Sequence, residues 1–379
     1  MKKMIYRSAV TALLGAVSLN IYAEDVKVNG FLTTSLAKLA TDQTTYLGGS
    51  FTNQARFDNP DSRLGLQFSA QVSDQIEATA QLLARGRGNN NAITADWAFV
   101  SIKAADDTKI RTGKLKLSTF LASDYIEVGY AYPWIRPPQE VYALNPITTQ
   151  VGVDALYTPR IGRAKLLIQP FAGSNRGSIT VSPALGDYLT ANPLPAPAAT
   201  PKTGDSLDFS APSIYGINMS LGGRAATFRL GYLQARVDQP MFGIVDKRAN
   251  FASAGFTVDW NNLVAYGEYA DRHSDAELRT GFPDQQAGYL TLGYRVGKFL
   301  PHLTYAAVNQ GRGDSPLAVR QRSATAGLRY EFLAGAALKF EVQRIDPEDN
   351  NYGLLDGKDS SGQYIRDTRL YGVALDVIF

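Results

Sequence analysis

The sequence predicts an all-β chain closed into a transmembrane, antiparallel, up-and-down β-barrel of about sixteen strands. Three observations carry this. Apolar and polar residues alternate with period two along many short runs, the signature of a strand with two different faces. The connections between those runs alternate between short and long. Beyond the N-terminus there is no unbroken apolar stretch of about 20 residues, the length a helix needs to cross a bilayer.

The N-terminus reads as a cleaved secretory signal over residues 1–23, followed by one barrel domain, 24–379. Lys2, Lys3 and Arg7 form its charged start, Ser8 to Leu19 its apolar stretch, and Ala23 a cleavage residue. Those three cations account for the whole formal net charge of +3. The remainder is balanced in charge and has no basic patch, so no nucleic-acid partner is expected. Cysteine is absent, which excludes disulfides, thiolate metal sites and cysteine nucleophiles.

The first run, 26–40, places Val26, Val28, Leu32 and Leu36 in one phase. In the second, Leu64, Leu66, Phe68, Ala70 and Val72 alternate with Arg63, Gly65, Gln67, Ser69 and Gln71. After a turn at Ser73-Asp74 the third sets Ile76, Ala78, Ala80 and Leu82 against Glu77, Thr79, Gln81 and Arg85. An apolar face rich in Ala and Gly and a polar face with few charges suit a wall between lipid and a watery lumen. The rhythm recurs at 96–104, 108–118, 150–158, 164–172, 213–221, 224–236, 250–260, 263–272, 286–297, 299–309, 322–332 and 335–345. It ends at 365–379, where Tyr371, Val373, Leu375, Val377 and the terminal Phe379 share one phase. Long connections fall at 41–61, 86–95, 119–149, 173–212, 237–249, 273–285, 310–321 and 346–364. Closure requires the last strand to pair with the first, because an open edge in lipid leaves backbone groups unsatisfied.

This layout resembles the sixteen-stranded general porins of Gram-negative bacteria over the whole mature chain. Trp97–Lys103 (WAFVSIK) followed by Thr108–Lys114 (TKIRTGK) is similar to the porin strand pair that precedes the third loop. The acidic Gly-Gly motif of the enterobacterial third loop is absent. The resemblance implies an outer-membrane, usually trimeric channel through which small hydrophilic solutes and ions diffuse passively. It also implies a third loop folded into the lumen. The ending on Phe379 resembles the C-terminal strand by which the assembly machinery recognises outer-membrane barrels. Two alternatives stay open: a channel selective for an anionic nutrient such as a carboxylate or phosphate, and a non-conducting adhesive or structural barrel.

Candidate pore residues follow from strand phase. Arg63 and Arg85 fall on lumen phases, and Arg329 and Lys339 on polar faces further round. In the fifth strand Ile110 outward makes Arg111 inward, whereas the porin-like Gly113-Lys114 pair would turn Lys114 inward. The third long connection offers Asp124, Glu127, Arg136 and Glu140 as constriction-loop charges, facing the basic wall across the lumen. Its other reading is a loop packed over the mouth or against a neighbouring subunit. The segment 192–201, rich in proline, reads as an extended external stretch. The acidic last loop lacks a calcium-loop pattern and reads as solvated. No cofactor, metal or enzymatic activity is expected. The two histidines, His273 and His302, fall toward opposite ends of the barrel, too far apart to share a catalytic site.

Overall fold

A computed structural model of the chain describes residues 26–86, 93–194, 199–313, 315 and 317–379. The expected signal, 1–23, and the proline-rich residues 195–198 lie outside the described residues. Among the described residues, sixteen antiparallel staves close into one wall. They are β1 (Val26–Leu39), β2 (Arg63–Ser73), β3 (Ile76–Arg85), β4 (Ile93–Ala105), β5 (Thr108–Lys116), β6 (Thr149–Tyr157), β7 (Ala164–Thr180) and β8 (Ser206–Gly222). The second half comprises β9 (Ala226–Gln239), β10 (Ile244–Trp260), β11 (Leu263–Ser274), β12 (Gln285–Tyr294), β13 (Phe299–Gln310), β14 (Gln321–Leu333), β15 (Ala336–Pro347) and β16 (Thr368–Ile378). Stave β6 resumes for two residues, Arg160–Ile161, beyond Pro159, which has no N–H to give to the ladder.

The first and last staves close the wall, with Phe31 opposite Ile378 and Leu39 opposite Leu370. The seam is extended by Gly30 and Phe379, which exchange both backbone hydrogen bonds at 2.7 and 2.9 Å. Among the described residues no strand edge is left to lipid. Alternation sends Leu32, Leu64, Leu82, Ile110, Leu290 and Leu303 outward, where they are exposed, and Thr33, Ser35, Thr79 and Gln81 inward, where they are buried. Tyr371, Val373 and Phe379 are exposed on the outward face, with Leu375 and Val377 half-buried on the same phase.

The loops depart from expectation in two places. Staves β7 and β8 rise well past the expected 172 and 213, pairing from Asn175 with Ala211 up to Thr180 with Ser206 beyond a bulge at Gly173. The long connection expected at 237–249 is mostly strand: β9 and β10 are joined by the turn Pro240–Phe242. Gly243 ends that turn at φ +64°, a conformation glycine takes without strain. The helix Pro183–Ala191, unforeseen by periodicity, caps the β7–β8 hairpin. The Ser182 hydroxyl accepts from Leu185 N–H at 3.3 Å, and Pro183 takes the first helical position, where no N–H is needed. Its Leu185 and Leu189 pack on Val181, Leu207, Phe242 and Leu317.

A candidate constriction inside the barrel

The chain between β5 and β6 leaves the wall after Lys116 and rejoins it at Thr149. Between those points it bonds to inward-facing groups all round the barrel. The Trp134 indole N–H donates to the Thr291 and Thr304 hydroxyls at 2.9 and 3.1 Å on β12 and β13. Its ring meets Tyr266 and Tyr289 at centroid distances of 4.9 and 5.6 Å. Ile135 N–H donates to Glu341 of β15 at 2.8 Å, and Leu121 N–H to Glu268 of β11 at 2.7 Å. Lys339 donates to the Gly129 and Trp134 carbonyls at 2.6 Å each and pairs with Asp376 at 2.8 Å. Gly129 approaches so closely that a Cβ there would lie 2.1 Å from Asp376 Oδ1, which excludes any side chain. Phe120, Tyr132, Trp134 and Tyr142 of the segment are buried against Leu233, Phe251 and Tyr289 of the wall. The loop is therefore pinned by apolar contact and by hydrogen bonds whose partners have no water to turn to.

Glu127 is the charge centre of this segment. It pairs with Arg85, with Arg63 at 3.4 Å and with Lys116 at 3.8 Å. Burial raises its carboxyl, but Arg63, Arg85 and Lys116 outweigh that and hold it at about 2. Arg63 also donates to Tyr132 Oη at 2.6 Å, and Lys116 pairs with Asp96 at 2.7 Å. Asp96 reaches the lumen because the β3–β4 register slips there: Gln81 faces Trp97 and Leu82 faces Ala95. A second network runs from stave to stave. Arg111 of β5 pairs with Asp154 of β6 at 2.5 Å; Gln169 of β7 donates to Asp154 at 2.8 Å and accepts from Asn218 of β8 at 3.1 Å. Arg229 of β9 donates to Asn218 at 2.7 Å and to the Phe120 carbonyl in the loop.

The expected site residues fall as follows. Arg63 and Arg85 meet at Glu127, with Arg85 the more accessible, its side chain 33% exposed. Arg111 faces inward. Lys114 does not: it sits on the outward phase opposite Ala98 and Val151 and donates to the Ala95 carbonyl at 2.6 Å. Alternation from Ile110 therefore holds as far as Lys114 and breaks at Lys116, which shares that parity but turns inward where the chain leaves the wall. Arg329 faces the lumen, paired with Glu331 at 3.1 Å and lying over the Tyr130 ring at 4.6 Å. Lys339 is inward but sealed beneath the loop. Of the four loop residues, Asp124 is exposed and accepts from Ser118 at 3.2 Å. Arg136 is buried against Asp61 at 2.6 Å and over the Phe51 ring at 4.5 Å. Glu140 is buried and accepts from Gln321 at 2.7 Å. At Glu127 and Arg136 the expected arrangement, cations and carboxylates facing each other across open water, is replaced by direct ion pairs, whereas Asp124 and Glu140 bond to Ser118 and Gln321. Asp61, Asp96, Lys116, Asp154, Arg229 and Glu268 escaped the sequence reading, although the inward parity of Asp154, Arg229 and Glu268 within their strands could have marked those three. His302 is buried on the inner wall beside Gly327, and His273 lies on the outward phase paired with Asp284 at 2.7 Å.

A closed barrel of sixteen staves crossed inside by one long loop defines a channel-forming outer-membrane protein. The sequence profile of Gram-negative porins matches residues 9–350, and the chain belongs to that family. It is a multi-pass barrel of the outer membrane and a channel for passive diffusion. Solved structures share the fold at low identity. A loop-deletion mutant of OmpT from Vibrio cholerae aligns at TM-score 0.58 and 13% identity, covering 94% of this chain and 99% of that one. The anion-selective porin from Comamonas acidovorans gives 0.58 and 12%, covering 94% and 99%. Salmonella typhi OmpF in complex with daunomycin gives 0.59 and 14%, covering 93% and 97%. A search of curated proteins finds no match.

Proposed function

We propose that the channel admits small hydrophilic solutes and ions, with charge preference set where the loop meets β2, β3 and β5. The observation that carries this reading is Arg85: inward, one-third exposed and tied to a loop carboxylate buried behind it. A passing anion meets that guanidinium, and the exposed Asp124 supplies the opposing charge. The protein acts as a conduit and not as a catalyst. Residues 1–23 are removed as a signal. Tyr371, Val373, Leu375, Val377 and Phe379 present the outward strand pattern that the assembly machinery recognises. The mature protein works as a homotrimer; a solved OmpT of Vibrio cholerae is itself described in a trimer form.

Planar-bilayer recording tests the selectivity reading. Arg85→Gln should move the zero-current potential in a salt gradient toward cation preference, with single-channel conductance little changed. An unchanged potential removes Arg85 from the ion path. A small conductance blocked by a single anion would replace the general channel by a substrate-selective one, and no conductance would overturn both.

A further inference from the structure

The inner wall carries two aromatic side chains that the loop does not cover. In β4 the register slip at Asp96 sets Trp97 opposite Gln81, and Phe99 follows opposite Thr79. Gln81 and Thr79 face inward, and residues directly opposed in a sheet share a face, so both rings point to the lumen. Both are half-buried. They meet edge to face, with centroids 5.7 Å apart and planes at 76°. The interior of a channel-forming barrel is ordinarily polar. Other inward rings, Phe251, Tyr266 and Tyr289, are met by Phe120 and Trp134 of the loop. Neither Trp97 nor Phe99 joins the apolar packing that holds the loop. Nor do the adjoining staves cover Phe99. Thr79 is short, and on β5 the opposite residue is Gly113, where any side chain would strike the Ala98 carbonyl and Phe99 Cα. The Trp97 indole N–H has no hydrogen-bond partner among the described residues, so a hydrogen bond is not what the wall gains from an indole here.

Charge brackets the two rings. Stave β4 runs from the extracellular side to the tight turn after Ala105, which places the rings just below the Glu127 cluster. Arg85 lies above them in that cluster, its side chain one-third exposed. Arg111 lies below, opposite Ser101, with its guanidinium carbon 5.2 Å from the centre of the Phe99 ring. It gives Nε and Nη2 to Asp154, while Nη1 has no partner among the described residues. An aliphatic anion finds only the cations of this patch useful, and an uncharged ring only the aromatics. A planar ring that carries a carboxylate uses both.

We propose that this step is a subsite for monocyclic aromatic carboxylates moving through the channel, the ring lodged against Phe99 and Trp97 and the carboxylate on Arg111. The inference rests on the channel reading above and adds a solute class to it. Two rings set edge to face offer a third ring both an edge and a face. Asp154 neutralises most of the charge of Arg111, so the anion is attracted without being trapped, as conduction requires.

Bilayer recording of the protein purified in detergent tests this, with benzoate, cyclohexanecarboxylate and benzyl alcohol added in turn to a chloride salt. The two acids share charge and approximate size but not aromaticity, and the alcohol keeps the ring without the charge. Benzoate should halve the chloride current at about a fivefold lower concentration than cyclohexanecarboxylate, the size of one ring-on-ring contact. Benzyl alcohol should not inhibit at those concentrations. Trp97→Leu combined with Phe99→Leu should bring the two acids level in a barrel that keeps its heat-modifiable mobility on gels. Phe68→Leu, which removes a ring on the outward phase of β2, should leave the preference intact. Should the double variant fail to fold, the comparison of the two acids on the wild type still decides. Equal inhibition by the acids, inhibition by the alcohol to match benzoate, survival of the preference in the folded double variant, or its loss in Phe68→Leu would each overturn the subsite. A wild type with no conductance in salt alone would strike down the channel reading and the subsite together, whereas an open channel that treats the acids alike strikes down the subsite only.

Discussion

Glu127→Gln is expected to swing the channel toward anions by several-fold in permeability ratio and to loosen the loop that holds it. The substitution keeps the side chain's size and removes its charge. Arg63 retains Tyr132 and Lys116 retains Asp96, whereas Arg85 loses the one carboxylate it touches among the described residues. A unit charge left uncompensated about 8 Å from the ion path is worth about 2 kcal/mol at an effective dielectric of about 20. Screening by about 0.1 M salt trims this, which leaves a several-fold effect. Stripping one partner from a buried pair costs about 3–5 kcal/mol in other proteins. The retained contacts of Arg63 and Lys116, and the partial exposure of Arg85, place this case at the low end. Bilayer zero-current potentials and detergent thermal melts read the two effects separately. A Glu127→Gln channel with unaltered selectivity would mean that ions pass clear of the cluster.

Acid should reproduce the change only at extremes. The Glu127 carboxyl lies below its ordinary value, so its contribution is fully present above the usual carboxylate range and is lost as pH falls through about 2. Between pH 8 and 5 this group should contribute no shift in selectivity. A step of anion preference within that window that disappears in Glu127→Gln would contradict the three-cation arrangement around it.

Much of the barrel was legible because its physics is local. Lipid outside and water or loop inside force period two on every stave, and the closing pair follows from the need to leave no edge. What escaped depends on contacts distant in sequence. Asp96 faces inward through a register slip that no residue type announces. Lys116 turns inward only where β5 ends and the chain leaves the wall, while family-like spacing pointed to Lys114 and strict alternation from Ile110 did not. The aromatic inner wall of Phe251 and Tyr289 reads as an ordinary alternating face until the loop that covers it is in place. The helix Pro183–Ala191 did leave a local mark, the Ser182-Pro183 pair that starts it, but nine residues are too few for periodicity to stand out within a long loop.

That helix sets the second large effect. The β7–β8 and β15–β16 connections are half a turn apart round the wall, yet Asp187 on the helix accepts from the Tyr352 hydroxyl at 2.6 Å and pairs with Lys358 at 3.2 Å. The helix therefore reaches across the extracellular mouth. Lys358 lies over the Tyr364 ring at 4.6 Å, and the neighbouring Asp356 takes the N–H groups of Gly48 and Gly49 at 2.9 and 2.8 Å, so the first loop is drawn into the same roof. The Tyr352 hydroxyl, against a burial effect that raises it, and Lys358 hold the Asp187 carboxyl below its ordinary range. The latch is thus present at neutral pH and lost only as acid protonates that group. Exposed pairs of this kind are individually weak, so the roof should open and close. Asp187→Cys with Tyr352→Cys, bridged by a reducible bifunctional thiol reagent, should hold it shut. The length of the tyrosine separates the two backbones too far for a direct disulfide. The chain has no cysteine of its own, so the reagent reaches only these positions. Bridging should cut single-channel conductance several-fold, and reduction should restore it. Conductance that ignores the bridge would show that solutes enter beside the helix, leaving the cluster around Glu127 as the sole narrow point of the path.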